Sequence, residues 1–400
     1  MKSKSFMLIA GEASGDLLAA ELVDALRAKQ LAGLVHTSAD EQPLRTALAP
    51  RFFGAGGPEM ARAGVELAFD LTQHSVIGLS DVLKEYPKFR RLFRQLFQLA
   101  IKRQPDVIIG VDYSGFNLRF GRAIKQFVRA RHGEFNNWDP KLVQFVSPQV
   151  WASRPGRAQE IAEDYDLLLS IFPFEQAWYA QRAPGLHVEF VGHPMVGRYS
   201  VPSSGSRVQG SAPLVLLLPG SREDELRRHL PVVSAVLVLM RRDLPGLRAK
   251  MVLPEGTLAQ SVQARCVPAG LEIQSGGVSA ALAEADLAIT KSGTITMECA
   301  MFGVPAVVFY KTSWLTYLIG KQMLNVEYIA MPNLLAGEEI FPEFLQAAAT
   351  PENIARTALE LLRDDQRRRA VKSNLAQVIA SLGGPGAAAR AADAITKLLP

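Results

Sequence analysis

The chain has 400 residues, more than one hydrophobic core usually holds, so two domains are expected. Hydrophobic content of 48% and charged content of 21% describe an ordinary soluble globule, and no apolar run approaches the ~20 residues of a membrane span. The net charge of +5 suits nucleic acid, an anionic membrane surface or phosphorylated substrates without choosing among them.

Lys2 and Lys4 precede an apolar run, but Gly11-Glu12 interrupts it and no small-residue cleavage site follows. The run at 6–10 is therefore predicted as a buried first strand, not a signal peptide. A turn (Gly11-Glu12-Ala13-Ser14-Gly15-Asp16) and a helix over 17–29 follow. Residues 36–50 read as a loop, 51–57 as a strand, and 79–103 as a long amphipathic helix. Strands at 106–111, 142–146, 167–171 and 188–191, with a helix at 117–131 and an inserted loop at 132–140, complete an alternation that implies a parallel doubly wound sheet. Ser, Gly, Pro and Arg around 198–212 mark a linker. A second α/β series has strands at 214–218, 249–253, 271–274, 287–290 and 306–310, and a closing helix at 386–399. The expected fold is α/β: two Rossmann-like domains facing a cleft, at 1–197 and 213–380. Residues 381–400 form a C-terminal helix that can pack back on the first domain. Cys266 and Cys299 are too few and too far apart for a metal cluster or a disulfide framework, which points to a reducing compartment.

Two turns in the second half carry the phosphate chemistry. Strand 287–290 runs into Lys291-Ser292-Gly293-Thr294 and a short helix, whose first N–H groups and dipole suit a diphosphate. Glu298, about one turn in, can reach a ribose hydroxyl. Alone, this is equally an ordinary βαβ unit with a polar cap. The second turn, Pro219-Gly220-Ser221-Arg222, ends strand 214–218, with Ser221 three residues before Asp224 in capping-box spacing. Arg222 stands where open α/β sheets bind ligands, and its guanidinium can grip a phosphate through two hydrogen bonds. Neither turn is a Walker loop or a Gly-x-Gly-x-x-Gly, which weakens kinase and dehydrogenase readings.

In the first half, Asp112 follows a buried strand and can take a proton from an attacking hydroxyl, or cap the next turn. Glu12 and Asp16 can bind sugar hydroxyls, and Asp16 can equally cap a helix. His193 is either a ligand contact or a structural histidine. Asp164-Tyr165-Asp166 matches the Asp-x-Asp of metal-dependent sugar transferases but stands before a strand, not after one. On the helix at 79–103, Lys84, Lys88, Arg90, Arg91 and Arg94 interleave with Val82, Phe89, Leu92, Phe93 and Phe97. That face suits either an anionic bilayer surface or the core. Trp314 opens a second apolar aromatic patch. No nucleic-acid motif occurs.

Together these segments resemble the lipid-A-disaccharide synthase family of inverting glycosyltransferases with the two-domain B-type fold. The marks run through the chain in order: Ala-Gly-Glu-Ala-Ser-Gly-Asp (10–16), Gly-Val-Asp (110–112), Val-Ser-Pro-Gln-Val-Trp-Ala (146–152), Phe-Pro-Phe-Glu (172–175), Val-Gly-His-Pro-Met (191–195), Leu-Leu-Pro-Gly-Ser-Arg (217–222), Ser-Gly-Thr (292–294) and Met-Pro-Asn-Leu-Leu-Ala-Gly (331–337). The resemblance implies transfer from UDP-2,3-diacylglucosamine to 2,3-diacylglucosamine 1-phosphate, with no cofactor and no metal. It implies Asp112 as general base, Arg222 and Ser292–Thr294 at the diphosphate, Glu298 at the ribose, and Ser14, Asn333, Glu343 and Gln346 completing the sugar or nucleotide pocket. It also implies a peripheral protein on the cytoplasmic face of the inner membrane of a Gram-negative bacterium, and a homodimer. Another UDP-N-acetylglucosamine enzyme of the same fold, or a non-catalytic nucleotide-sugar-binding protein, is the alternative. The chain departs from the family's pattern at Gly115, where a second carboxylate is usual, at Ser153, where Trp is usual, and at Lys291, where a small residue is common.

Overall fold

The computed structural model describes residues 3–32, 49–74, 79–133, 137–199, 212–253, 268–314, 317 and 326–399. The expected loop at 36–50, the linker around 198–212 and part of the 132–140 insertion fall largely outside them, as do Cys266 and most of the patch after Trp314. The chain forms two compact units: residues 1–197 with 382–400, and residues 198–381.

The first unit is a seven-stranded parallel sheet of β1 (Ser5–Ala10), β2 (Arg51–Gly56), β3 (Glu66–Asp70), β4 (Val107–Val111), β5 (Lys141–Phe145), β6 (Leu167–Ser170) and β7 (Val188–Phe190), in the order β3-β2-β1-β4-β5-β6-β7. β4 is buried at every residue, as expected for a parallel strand covered on both faces. The second unit is a six-stranded parallel sheet of β8 (Leu214–Leu218), β9 (Arg248–Leu253), β10 (Glu272–Ser275), β11 (Leu287–Lys291), β12 (Ala306–Tyr310) and β13 (Glu343–Leu345), ordered β10-β9-β8-β11-β12-β13. In each sheet the strand order reverses beside the first strand, between β1 and β4 and between β8 and β11, and such switch points open a crevice at the carboxyl ends.

One device recurs at the opposite edge. Asp106 Oδ2 accepts from the Ser5 N–H at 2.7 Å, Asp286 Oδ2 from the Leu214 N–H at 2.7 Å, and Asp166 Oδ2 from the Leu142 N–H at 2.8 Å. Each carboxylate, just before its own strand, ties down the start of the neighbouring one. Asp166 also pairs with Lys125 at 3.1 Å, and buried Asp164 with Arg122 at 3.0 Å. The Asp-x-Asp sequence thus joins strands and helices. Among the described residues no group of three or more His, Cys, Asp or Glu can hold a metal.

The helix Leu79–Arg103 spends its apolar face on the first unit's core. Leu92, Leu96 and Ala100 are buried. Phe93 meets Phe116 and Phe120 edge-on at 5.4 and 5.5 Å, and Phe97 meets Phe127 at 5.7 Å. Leu92 is thus taken up by the core, while Phe93 and Phe97 pack half-buried against the neighbouring helix Ser114–Arg131. Phe89 packs half-buried on the same cluster, and the Val82 side chain lies outside the described residues. Lys88, Arg90, Arg91 and Arg94 are exposed. The helix Ala387–Lys397 packs on the helix Ala13–Ala32, fastened by a Lys29–Asp393 ion pair and by Arg390, whose Nε donates to the Val191 carbonyl at 2.7 Å.

Candidate active site

In the second unit, a cavity of about 380 Å³ opens at the carboxyl ends of β8 to β11. Its lining includes Arg222, Val252, Gly277, Lys291, Thr294 and Glu298. The helices Glu223–Asp243 and Thr294–Met301 both begin there, so the N–H groups of two first turns border it. Arg222 is half-exposed, and Lys291 lies mostly buried beside it.

The charge in this turn is organised by Glu225, which the sequence reading missed. Its Oε2 accepts from the Ser221 N–H at 3.1 Å, its Oε1 pairs with Lys291 Nζ at 3.2 Å, and Arg222 lies 3.9 Å away. Burial opposes its charge, but the Lys291 ammonium and the Ser221 N–H outweigh it and hold the carboxyl below its ordinary pKa. Glu225, not Asp224, thus reaches back in the cap. Gly220 (φ 135°) permits this fold, because a Cβ there would sit 2.6 Å from Glu225 Oε2. One turn further on, buried His229 has Nδ1 2.6 Å from the Pro219 carbonyl and accepts from the Lys311 N–H at Nε2, 3.2 Å away. A carbonyl only accepts, so Nδ1 carries the proton. Burial holds this ring below its ordinary pKa, and it clamps the turn to the end of β12 as a neutral group. The signal was visible: Glu225 and His229 lie four and eight residues after Ser221, on one helix face.

Glu298 lines the cavity with its Oε2 buried and without a hydrogen-bond partner, and burial pushes its pKa up. Such an oxygen is short of donors, which ribose hydroxyls supply. Thr294 is exposed at the mouth, and Gly293 is the residue before the helix. The Ser292 hydroxyl instead donates to the Ile329 carbonyl at 2.8 Å, so its side chain anchors the 326–331 segment.

Three further expected pocket residues make contacts within the protein. Asn333 is fully buried, donating to Phe341 O and Glu343 Oε1, each at 2.8 Å, and accepting from the Ile340 and Phe341 N–H groups. Glu343 accepts from the Ile329 and Ala330 N–H groups at 2.9 and 2.8 Å. The Gln346 amide brackets Thr312, accepting from its N–H at 3.3 Å. All three hold loops in place through backbone groups.

In the first unit Asp112 ends β4 at the switch point, with Tyr113 beside it. Both have left-handed backbones, at φ 50° and 42°. Burial raises the Asp112 pKa, against a smaller lowering by the Tyr113 N–H, as suits a base. Glu12 and the first turn of the helix Ala13–Ala32 adjoin it: a Cβ on Gly15 would lie 3.5 Å from Asp112 Cβ. Glu12 is half-buried and Ser14 exposed. Of the two roles expected for Asp16, its contacts are those of a helix cap. It is buried and accepts from the N–H groups of Gly57, Glu59 and Met60 at 2.7, 2.9 and 3.1 Å, capping the distant helix Pro58–Arg62. His193 is also structural: its ring packs on Phe172 with centroids 5.5 Å apart, and Nδ1 accepts from the Met195 N–H at 3.3 Å. Gly115 is exposed with open space around its Cβ position, and Ser153 ends a short helix, Val150–Ser153.

Two all-parallel units, with an anion-suited crevice in the second, are the architecture of B-type glycosyltransferases. Solved structures share it. A glycotransferase of kitacinnamycin has a TM-score of 0.62 at 18% identity, with both chains fully covered. A putative UDP-N-acetylglucosamine 2-epimerase from Listeria monocytogenes has 0.58 at 14%, covering 100% of this chain and 97% of that one. At such identities these likenesses speak for the fold alone. Sequence relatives go further. The chain is 34% identical over 402 residues to the lipid-A-disaccharide synthase of Myxococcus xanthus, covering 98% of this chain and 97% of that one. It is 35% identical over 404 residues to that of Syntrophus aciditrophicus, with the same coverage. The sequence profile of lipid-A-disaccharide synthetase matches residues 6–397, and the chain belongs to this family.

Proposed function

We propose that this glycosyltransferase of lipid A biosynthesis joins UDP-2,3-diacylglucosamine to 2,3-diacylglucosamine 1-phosphate, giving the β-1,6-linked disaccharide 1-phosphate and UDP. The observation that carries the donor half is the cavity of the second unit, where Arg222, Lys291 and two helix N-termini meet a buried carboxylate oxygen of Glu298 lacking a partner. Arg222, Lys291 and the backbone of Ser221 and Ser292–Thr294 hold the diphosphate, and Glu298 accepts from the uridine ribose. Asp112 takes the proton from the acceptor 6-hydroxyl as its oxygen attacks the anomeric carbon. The bond from that carbon to the phosphate oxygen breaks, its electron pair leaves with UDP, and the configuration inverts. The cations stabilise the charge that grows on the departing diphosphate. Glu12 and Ser14, beside Asp112, are the remaining candidates for the acceptor sugar. No described helix is long and apolar enough to cross a membrane, and the exposed Lys88, Arg90, Arg91 and Arg94 suit peripheral binding to anionic headgroups at the inner face of the inner membrane.

The test is UDP release from the donor with and without the acceptor, in detergent and EDTA. Acceptor-dependent release with a disaccharide product is expected. Asp112→Ala is expected to lose about 10²–10⁴-fold in turnover while binding UDP unchanged. Release that ignores the acceptor, or an Asp112→Ala variant with full turnover, would refute the reading.

A further inference from the structure

Asp112, Tyr113 and Val146 form a cluster of strained backbone at the ends of the adjacent strands β4 and β5, with φ of 50°, 42° and 70°. Left-handed geometry is unfavourable for L-residues, and is rarest for β-branched Val. It persists only where the surroundings impose it. Here they do. Gln144 is fully buried in β5, and its Nε2 donates to the Asp112 carbonyl at 2.9 Å, with the Val146 and Phe145 carbonyls at 3.3 and 3.4 Å. Asn117, also buried, donates from Nδ2 to the same Asp112 carbonyl at 2.9 Å. The Asp112 N–H completes the clamp on the Phe145 carbonyl at 2.8 Å.

The clamp is costly elsewhere. Gln144 Oε1 and Asn117 Oδ1 are both buried without a hydrogen-bond partner. Flipping either amide would set oxygen against carbonyl oxygen, so the donors dictate the orientation and the acceptors go unpaired. Gly110 makes room: a Cβ there would lie 2.6 Å from Gln144 Oε1 and 2.8 Å from Asn117 Cβ. An apolar residue at 144 would avoid the orphan oxygen, and its strand neighbours Leu142, Val143 and Phe145 are apolar.

We infer that Gln144, aided by Asn117, is a positioning residue that holds Asp112 in the left-handed bend from which its carboxylate acts. The inference rests on Asp112 being the base. Gln144→Met keeps the volume, removes the donor and also removes the orphan acceptor. Gln144→Leu removes the amide altogether and leaves an apolar side chain of similar size. Both variants are expected to melt cooperatively, bind UDP and keep the donor KM, and lose kcat on the order of 100-fold, the scale of a misplaced reacting group. In an Asp112→Asn background, Gln144→Met is expected to cost no further turnover, because the effect passes through Asp112. Wild-type kcat in both variants beside a dead Asp112→Ala would overturn the positioning role and leave the base standing. An active Asp112→Ala would sink the base, and the inference with it. Losses that multiply across the double variant, or loss of cooperative melting in both single variants, would make Gln144 a general structural residue and overturn the proposal.

Discussion

Glu298→Gln removes a charge that the fold disfavours and the group proposed to bind the uridine ribose, so stability and UDP affinity are expected to move in opposite directions. In the free protein Glu298 Oε2 is buried and unpaired, and burial raises the carboxyl above its ordinary value of 4.5. The folded state therefore holds this proton more tightly than the unfolded chain. The cost is absent below the unfolded value, grows as pH rises toward the folded one, and is complete above it. Glutamine keeps polar atoms at the site, so what the variant relieves is burial of the charge, worth about 1–3 kcal/mol. The low end applies because the residue is only partly buried. A gain of about 1 kcal/mol corresponds to roughly 2–4 °C for a unit of this size. Against that, a hydrogen bond to a charged acceptor is worth about 1.5–3 kcal/mol, so loss of the ribose contact should weaken UDP by roughly 10- to 100-fold. Thermal melts at pH 4 and pH 8, with titration calorimetry of UDP at pH 8, separate the two effects. A lower melting temperature at pH 8, or an unchanged UDP affinity, would refute the ribose role and make Glu298 a structural acid.

Lys291→Met should weaken UDP and also strand buried Glu225, costing about 3–5 kcal/mol of stability. Adding Glu225→Gln should restore the melting temperature but not the affinity, as differential scanning fluorimetry and calorimetry would show. Asp16→Ala leaves three backbone N–H groups without their acceptor and should destabilise the first unit by about 2 kcal/mol or more in denaturant melts, with UDP binding untouched. Glu175 is buried, and burial pushes it up to about 7 despite hydrogen bonds from Trp151 Nε1 and the Phe172 N–H. Its charge opposes folding increasingly from pH 4.5 through 7, so Glu175→Gln should raise the melting temperature at pH 8 and leave it unchanged at pH 4.

Most strands and the two turns that line the cavity were legible because their signals are local. Apolar runs such as Leu214–Leu218 and Val107–Val111, each ended by a turn, need no distant information to be read as buried parallel strands. Glu66–Asp70 and Glu343–Leu345 escaped notice because they are short edge strands only partly buried, with no continuous apolar run. Gln144 offered a faint signal, as the one polar side chain among Leu142, Val143 and Phe145. A polar residue inside a buried strand must have partners, but its sequence does not name them.

The sequence by itself determined the architecture, the family and the kinds of group available for phosphate, ribose and proton transfer, since periodicity and turn chemistry act over a few residues. Tertiary structure alone decided which polar side chains are left for a ligand. Asp16, Asn333 and Glu343 stand in motifs as promising as that of Glu298, yet their oxygens are taken by N–H groups between 7 and 44 residues away in the chain. A carboxylate or amide satisfies itself with whichever donor the fold brings within about 3 Å, and that is settled by packing. Glu298 lines the cavity and keeps a buried oxygen without a hydrogen-bond partner among the described residues.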